Sequence, residues 1–245
     1  MSMLKTAAKR LMGKDVRQPP PPTEARDCYR SMIYTAHDLK PAPTKRLIDV
    51  TLAAVREIVE GHVDLGEIAK RPKVPDWYTA WPGEHYKLLA GLIRVLRPRT
   101  VIEIGTFSGL SALTMRNAMP EDGRLTTFDV VPWKQIDGTH FQEQDFADGR
   151  LRQEIADLSN PTVLQQHREL LESADFMLID APKDGVFEYR LIEHFQTMKF
   201  RNCPIVLWDD TRLWSMLRFW RILPWPKMDV TSFGSWSGSG LCELT

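Results

Sequence analysis

The sequence predicts a doubly wound α/β fold: a mostly parallel sheet of seven strands with an antiparallel strand at its C-terminal end. Three observations predict it. From Thr100 onward, short apolar runs alternate with stretches of helical periodicity. Two runs, Asp175–Asp180 and Pro204–Trp208, are continuously apolar, as strands covered on both faces are. Near the end, a Gly/Ser-rich turn separates Asp229–Phe233 from Gly240–Leu244, which suits an antiparallel pair.

The elements follow in order. Residues 1–40 lean basic and carry the run Pro19–Pro22, so they read as an extended arm ahead of a single domain spanning 41–245. Thr44 is placed to cap a helix with Leu47, Val50, Ala54 and Ile58 on one face, and Gly61 falls just past its end. Arg71–Pro82, rich in proline and tryptophan, reads as a structured loop. Glu84–Arg97 is a second amphipathic helix, with Tyr86, Leu89, Ile93 and Leu96 at helical spacing. Strands are expected at Thr100–Ile104, Leu125–Val130 and Arg152–Leu158 ahead of the two buried ones. Helices are expected at Ser108–Met119, Asn160–Ser173, Gly185–Lys199 and Leu213–Leu223.

Composition removes several classes. The 245 residues suit one large domain, and 32 basic side chains match 32 acidic ones, so nothing global attracts nucleic acid. Cys28, Cys203 and Cys242 lie far apart, which supports neither a disulfide framework nor a zinc site and fits reduced thiols in the cytoplasm. No run approaches the roughly 20 apolar residues of a membrane span. Met1–Met12 lacks the apolar core of a signal peptide. A homodimer is compatible with the sequence, which does not fix it. The six histidines are scattered without ligand spacing and read as surface or helix-face residues.

The chemistry concentrates at strand ends. Glu103-Ile-Gly105-Thr-Phe-Ser-Gly109-Leu-Ser111 closes the first strand and opens a helix, where doubly wound sheets bind ligands. Asp129 ends the second strand, 26 residues after Glu103, where a carboxylate can accept from ribose hydroxyls. Two classes of ligand compete for this turn. A dinucleotide or P-loop site wants more glycine, or a closing lysine, to cradle phosphates. A nucleoside without phosphates, such as S-adenosylmethionine, demands less. The bland alternative is a tight turn with no ligand. Asp157, after the third strand, either faces an adenine edge or caps the helix that starts near Pro161.

The fourth strand ends at Asp180, followed by Ala181-Pro182-Lys183-Asp184; the fifth ends Trp208-Asp209-Asp210-Thr211. Neighbouring strands lie about 5 Å apart, so Asp180, Asp209 and Asp210 would converge. Three crowded carboxylates repel, and a hard divalent cation such as Mg2+ would relieve them. Lys183 lies within reach; beside a cation its pKa would fall, which suits a general base. Each residue taken alone reads equally well as a helix cap or a solvated charge.

Together these motifs resemble the metal-dependent O-methyltransferases of the catechol and caffeoyl-coenzyme A type, over roughly Thr79–Trp214. Glu103–Ser111 is similar to that family's first cofactor motif, and Asp129 to its ribose-binding acid. Asp180-Ala-Pro-Lys183-Asp184 resembles its Asp-x-x-Lys-Asp segment. Trp208-Asp209-Asp210-Thr211-Arg-Leu-Trp214 resembles its Asp-Asn-Thr-Leu-Trp segment, with Asp210 in place of asparagine. The resemblance implies a Rossmann-like methyltransferase fold and methyl transfer from S-adenosylmethionine to a hydroxyl of a small acceptor, such as a vicinal diol. It implies cofactor contacts from Trp81, Glu103, Gly105, Thr106, Phe107, Ser111, Asp129 and Asp157. Asp180, Asp209 and Asp210 would ligate the metal, with Lys183 and Asp180 catalytic. The alternatives are an NAD(P)-type oxidoreductase on a similar sheet and a non-catalytic nucleoside-binding module.

Overall fold

A computed structural model describes residues 38–73 and 84–245. Its helices are α1 (Lys45–Val59), α2 (His85–Leu96), α3 (Leu110–Ala118), α4 (Pro161–Glu172), α5 (Phe187–Phe195) and α6 (Leu217–Ile222). Its strands are β1 (Thr100–Ile104), β2 (Arg124–Asp129), β3 (Leu151–Ile155), β4 (Phe176–Ile179), β5 (Ile205–Asp209), β6 (Lys227–Asp229) and β7 (Ser239–Glu243). They form one seven-stranded sheet in the order β3-β2-β1-β4-β5-β7-β6. β1 to β5 run parallel, and β7 pairs antiparallel with β5 on one side and β6 on the other. Most of the expected arm with Cys28, and the Arg71–Pro82 loop beyond Lys73 with Trp81, lie outside the described residues.

Alternation along each strand divides the core in two. Val101, Leu125, Phe176, Leu178 and Leu207 face a cluster built with α1, α2 and α3. Ile102, Phe128, Met177, Ile179 and Trp208 face the other, built with α4, α5 and α6. β4 and β5 are buried along their whole length, which is why their sequence runs show no polar alternation. No helix among the described residues is long and apolar enough to cross a membrane.

The caps explain several helix limits. The Thr44 hydroxyl accepts from Leu47 N at 3.0 Å and starts α1. The N-cap of α4 is Asn160, which accepts from Thr162 N at 2.9 Å; Asp157 accepts instead from Ser159 N at 2.9 Å. The capping reading of Asp157 is thereby corrected.

Other boundaries shift for local reasons. The expected strand Arg152–Leu158 begins at Leu151 and stops at Ile155, where its pairing with Asp129 ends. The helix expected from Ser108 begins at Leu110, because Phe107 and Gly109 adopt left-handed conformations. α5 starts at Phe187 rather than Gly185, because the buried Glu188 carboxylate draws in the N–H groups of Lys183 (2.9 Å) and Gly185 (3.1 Å). α6 starts at Leu217 rather than Leu213. The strand expected at Asp229–Phe233 lies at Lys227–Asp229. The Asp229 carboxylate accepts from Thr231 N at 3.0 Å and turns the chain into a 3-10 helix, Thr231–Phe233.

Two substitutions test this account. Asn160→Ala should destabilise the protein by about 1 kcal/mol, while Asp157→Ala should cost clearly less, both read from the midpoint of urea unfolding. Equal costs would contradict the cap assignment.

Candidate active site

The sheet register sets the site. Ile104 pairs with Phe128 on one side and Ile179 on the other, and Ile179 pairs with Trp208. One residue further along, Asp129, Gly105, Asp180 and Asp209 therefore stand side by side across the carboxyl ends of β2, β1, β4 and β5. Gly105 N bonds Phe128 O and Asp180 N bonds Ile104 O, both at 2.8 Å, so the ladder continues to this row. A cavity of about 710 Å³ opens above it. That volume falls in the range of small-molecule sites, at the position where open α/β sheets bind ligands.

The turn after β1 is held by protein contacts. Gly105 has φ +101°, and a Cβ there would lie 2.0 Å from the Asp180 carbonyl oxygen. Gly109 has φ +85°, and its Cβ would run into the Phe141 ring at 2.6 Å. Both glycines are thus required by neighbouring chain, whether or not a ligand approaches. Asp129 Oδ2 accepts from Thr106 N at 2.9 Å and Phe107 N at 3.1 Å, and Oδ1 accepts from Val131 N at 3.0 Å. The ribose-binding acid of the sequence reading is therefore also the anchor of the turn, with about one acceptor position left.

At the other half of the row the charges crowd. Asp180, Asp209 and Asp210 each offer a carboxylate oxygen within 4.8 Å of the others. Burial pushes the Asp209 carboxyl well above the usual range, and the charges of Asp180 and Asp210 push it further. The Lys183 ammonium bonds Asp180 and lies 3.1 Å from Asp210. Burial works against that ammonium, but Asp180 and Asp210 outweigh it and hold its pKa above the ordinary lysine value. With these carboxylates charged, the ammonium form of Lys183 is favoured; the neutral base expected from sequence presupposes a cation beside it. The Ser237 hydroxyl donates to Asp210 and lies 2.6 Å from the Ser235 hydroxyl.

Backbone strain gathers here. Phe107 (φ 40°), Lys183 (φ 57°) and Asp210 (φ 58°) line the cavity in left-handed conformations. Each costs about 1–2 kcal/mol for a residue with a Cβ. Such strain persists where the surroundings impose it, commonly at functional sites. Phe107 is 64% exposed at the cavity wall.

The structure brings Gly105, Phe107, Asp129, Asp157, Asp180, Lys183, Asp209 and Asp210 to one cavity. It does not bring Thr106 or Ser111 to its wall. The Thr106 hydroxyl turns inward to Thr127 at 2.7 Å, and Ser111 sits half-buried in the first turn of α3. Glu103, at the end of β1, is fully buried, and among the described residues neither carboxylate oxygen has a hydrogen-bond partner. Burial raises its pKa well above the usual range, and Asp180 and Asp129 add to this. Trp81 lies outside the described residues.

Sequence reasoning missed four contributors. Ser235 and Ser237 come from the β6–β7 loop, which read only as a turn. Glu188 braces the Lys183 loop from α5. His85, expected on a surface or helix face, is 3% exposed at the start of α2, with Nδ1 3.6 Å from Asp209 Oδ1. No local spacing links these residues to the carboxylates, and only the Gly/Ser-rich composition of the β6–β7 loop was a signal.

Over 160 residues the chain is 25% identical to a probable caffeoyl-CoA O-methyltransferase 3 of Dictyostelium discoideum, covering 64% of this chain and 62% of that protein. Over 111 residues it is 32% identical to catechol O-methyltransferase domain-containing protein 1 of Mus musculus, covering 43% of this chain and 40% of that protein. The chain thus spans about two fifths to three fifths of the length of the curated relatives it matches. Among solved structures, an O-methyltransferase from Bacillus cereus in complex with SAH aligns with TM-score 0.50 and 16% identity, over 80% of this chain and 91% of that one. SAH-bound PaMTH1 of Podospora anserina aligns with TM-score 0.50 and 14% identity, over 93% and 98%. At such identities the likeness is one of fold. The family model for O-methyltransferase matches residues 68–215, more than half the chain and every strand-end motif described above, and the chain belongs to that family.

Proposed function

We propose that this chain transfers the methyl group of S-adenosylmethionine to a hydroxyl oxygen of a small acceptor, assisted by a divalent cation such as Mg2+ held by Asp180, Asp209 and Asp210. One observation carries the reading: three carboxylates converge within 4.8 Å in the same cavity as the Gly105 turn and Asp129. Family membership favours methyl transfer over the hydride chemistry of a dinucleotide enzyme.

The residues fit both groups. Three clustered oxygen donors, one raised in pKa by burial and then by its charged neighbours, suit a hard cation. The orphaned Glu103 carboxylate suits the charged amino-acid end of the cofactor. Phe107 offers an exposed ring at the wall, and Asp129 keeps an acceptor position for a ribose hydroxyl. Asp157, exposed beside Leu158 and Ser159 at the cavity wall, offers a carboxylate that could accept from an adenine amino group.

When bound, the cation would offset the carboxylate charge and lower the pKa of an acceptor hydroxyl. The acceptor oxygen then forms its bond to the methyl carbon in line as the carbon–sulfur bond breaks. The electron pair stays on sulfur, which leaves S-adenosylhomocysteine. Lys183 stands between Asp180 and Asp210, placed to take up the hydroxyl proton once their charge is offset. Alignment of the two reactants supplies much of such a rate, about 7–11 kcal/mol at most. A vicinal diol suits the site, because two adjacent oxygens can share one cation.

Asp180→Ala should abolish transfer and leave affinity for S-adenosylhomocysteine within about threefold of wild type by calorimetric titration. Full activity in excess chelator would sink the metal part of the proposal. Asp129→Ala should weaken S-adenosylhomocysteine binding at least about tenfold, since the turn loses the acceptor for two of its N–H groups. Unchanged binding would remove Asp129 from the cofactor site.

A further inference from the structure

His85 is unexplained by the chemistry above. It opens α2, preceded by Glu84 as N-cap without a side-chain capping bond. It comes from the opposite layer to α5, reaches the cavity wall and is 3% exposed. Its Nδ1 is buried and has no hydrogen-bond partner among the described residues. The same holds for Asp209 Oδ1, whose twin oxygen is not so orphaned. The two orphaned atoms face each other at 3.6 Å.

A buried polar atom without a partner loses its hydration for nothing, at about 1–3 kcal/mol. Two such atoms turned toward each other are therefore a pair in waiting. The separation is about half an ångström beyond a hydrogen bond, and contacts of this kind often close only when a site is loaded. In the ionised form that holds a cation, a carboxylate oxygen can only accept, so the imidazole serves Asp209 by carrying its proton on Nδ1.

We infer that His85 is a positioning residue of the carboxylate cluster: Nδ1–H engages the buried Oδ1 of Asp209 and leaves Oδ2 for the cation. This rests on the metal reading above and assigns a new residue to it. Asp180 is held by Lys183, and Asp210 by Lys183 and Ser237; His85 does for Asp209 what those groups do for its neighbours. An outer partner of this type fixes the orientation of a ligand, and its loss commonly weakens metal binding about 10–100-fold.

The test is calorimetric titration of the full chain with MgCl2 and MnCl2, alongside thermal unfolding. An asparagine at position 85 puts its amide nitrogen near the place of Nδ1, whereas glutamine puts it near the place of Nε2. His85→Ala and His85→Gln should bind the cation at least about tenfold more weakly than wild type, and His85→Asn should recover most of the loss. A purely structural role would move thermal stability in all three variants without this order in cation affinity, and would overturn the inference. So would three variants that bind as wild type does. A wild-type chain that takes up neither cation would overturn the metal reading itself, and this inference with it.

Discussion

The approach of the end of β4 to the Gly105 turn is the contact on which the rest of the site depends. The Asp180 carbonyl occupies the space a side chain would need at position 105. That contact locks the tip of β1 against the tip of β4, so the nucleoside half of the cavity and the carboxylate half share one wall. Parallel pairing then repeats the alignment outward, with Asp129 on one side and Asp209 on the other. Four residues far apart in sequence stand in one row because the ladder allows no other offset once the apolar faces of the strands are buried.

Charge is the second organising constraint. Asp180, Asp209 and Asp210 would drive one another apart without a counter-charge, and Lys183 supplies part of it from within the chain. Lys183 and Asp210 both carry left-handed backbone, so the loops after β4 and β5 are bent to bring these groups inward. Glu188, itself buried, holds the first loop by accepting two of its N–H groups. The strain is local, and the surrounding hydrogen bonds and the packed strands beneath it sustain it.

The places where sequence reading and structure part are instructive. The strand run at Asp229–Phe233 was shifted by an Asx turn at Asp229, a side-chain-to-backbone bond that propensity does not weigh. The start of α5 was set by Glu188 reaching backward. Asp129 was read as a ligand acceptor; in the structure it also holds the turn it belongs to. Thr106 and Ser111 carry the motif but sit off the cavity wall, because a motif records spacing along a chain and not the side on which each side chain emerges.

The sequence by itself determined the alternation of strands and helices, the glycine turn after β1, the acidic strand ends and the antiparallel close of the sheet. All of these follow from periodicity and residue type within a few positions, the range over which side-chain sterics and hydration act. Only the tertiary structure decided which of those groups meet. The register set Gly105 beside Asp180, the β6–β7 loop delivered Ser237 to Asp210, and α2 carried His85 beneath Asp209. Such meetings depend on how buried faces pack across the sheet, and no short stretch of chain encodes them.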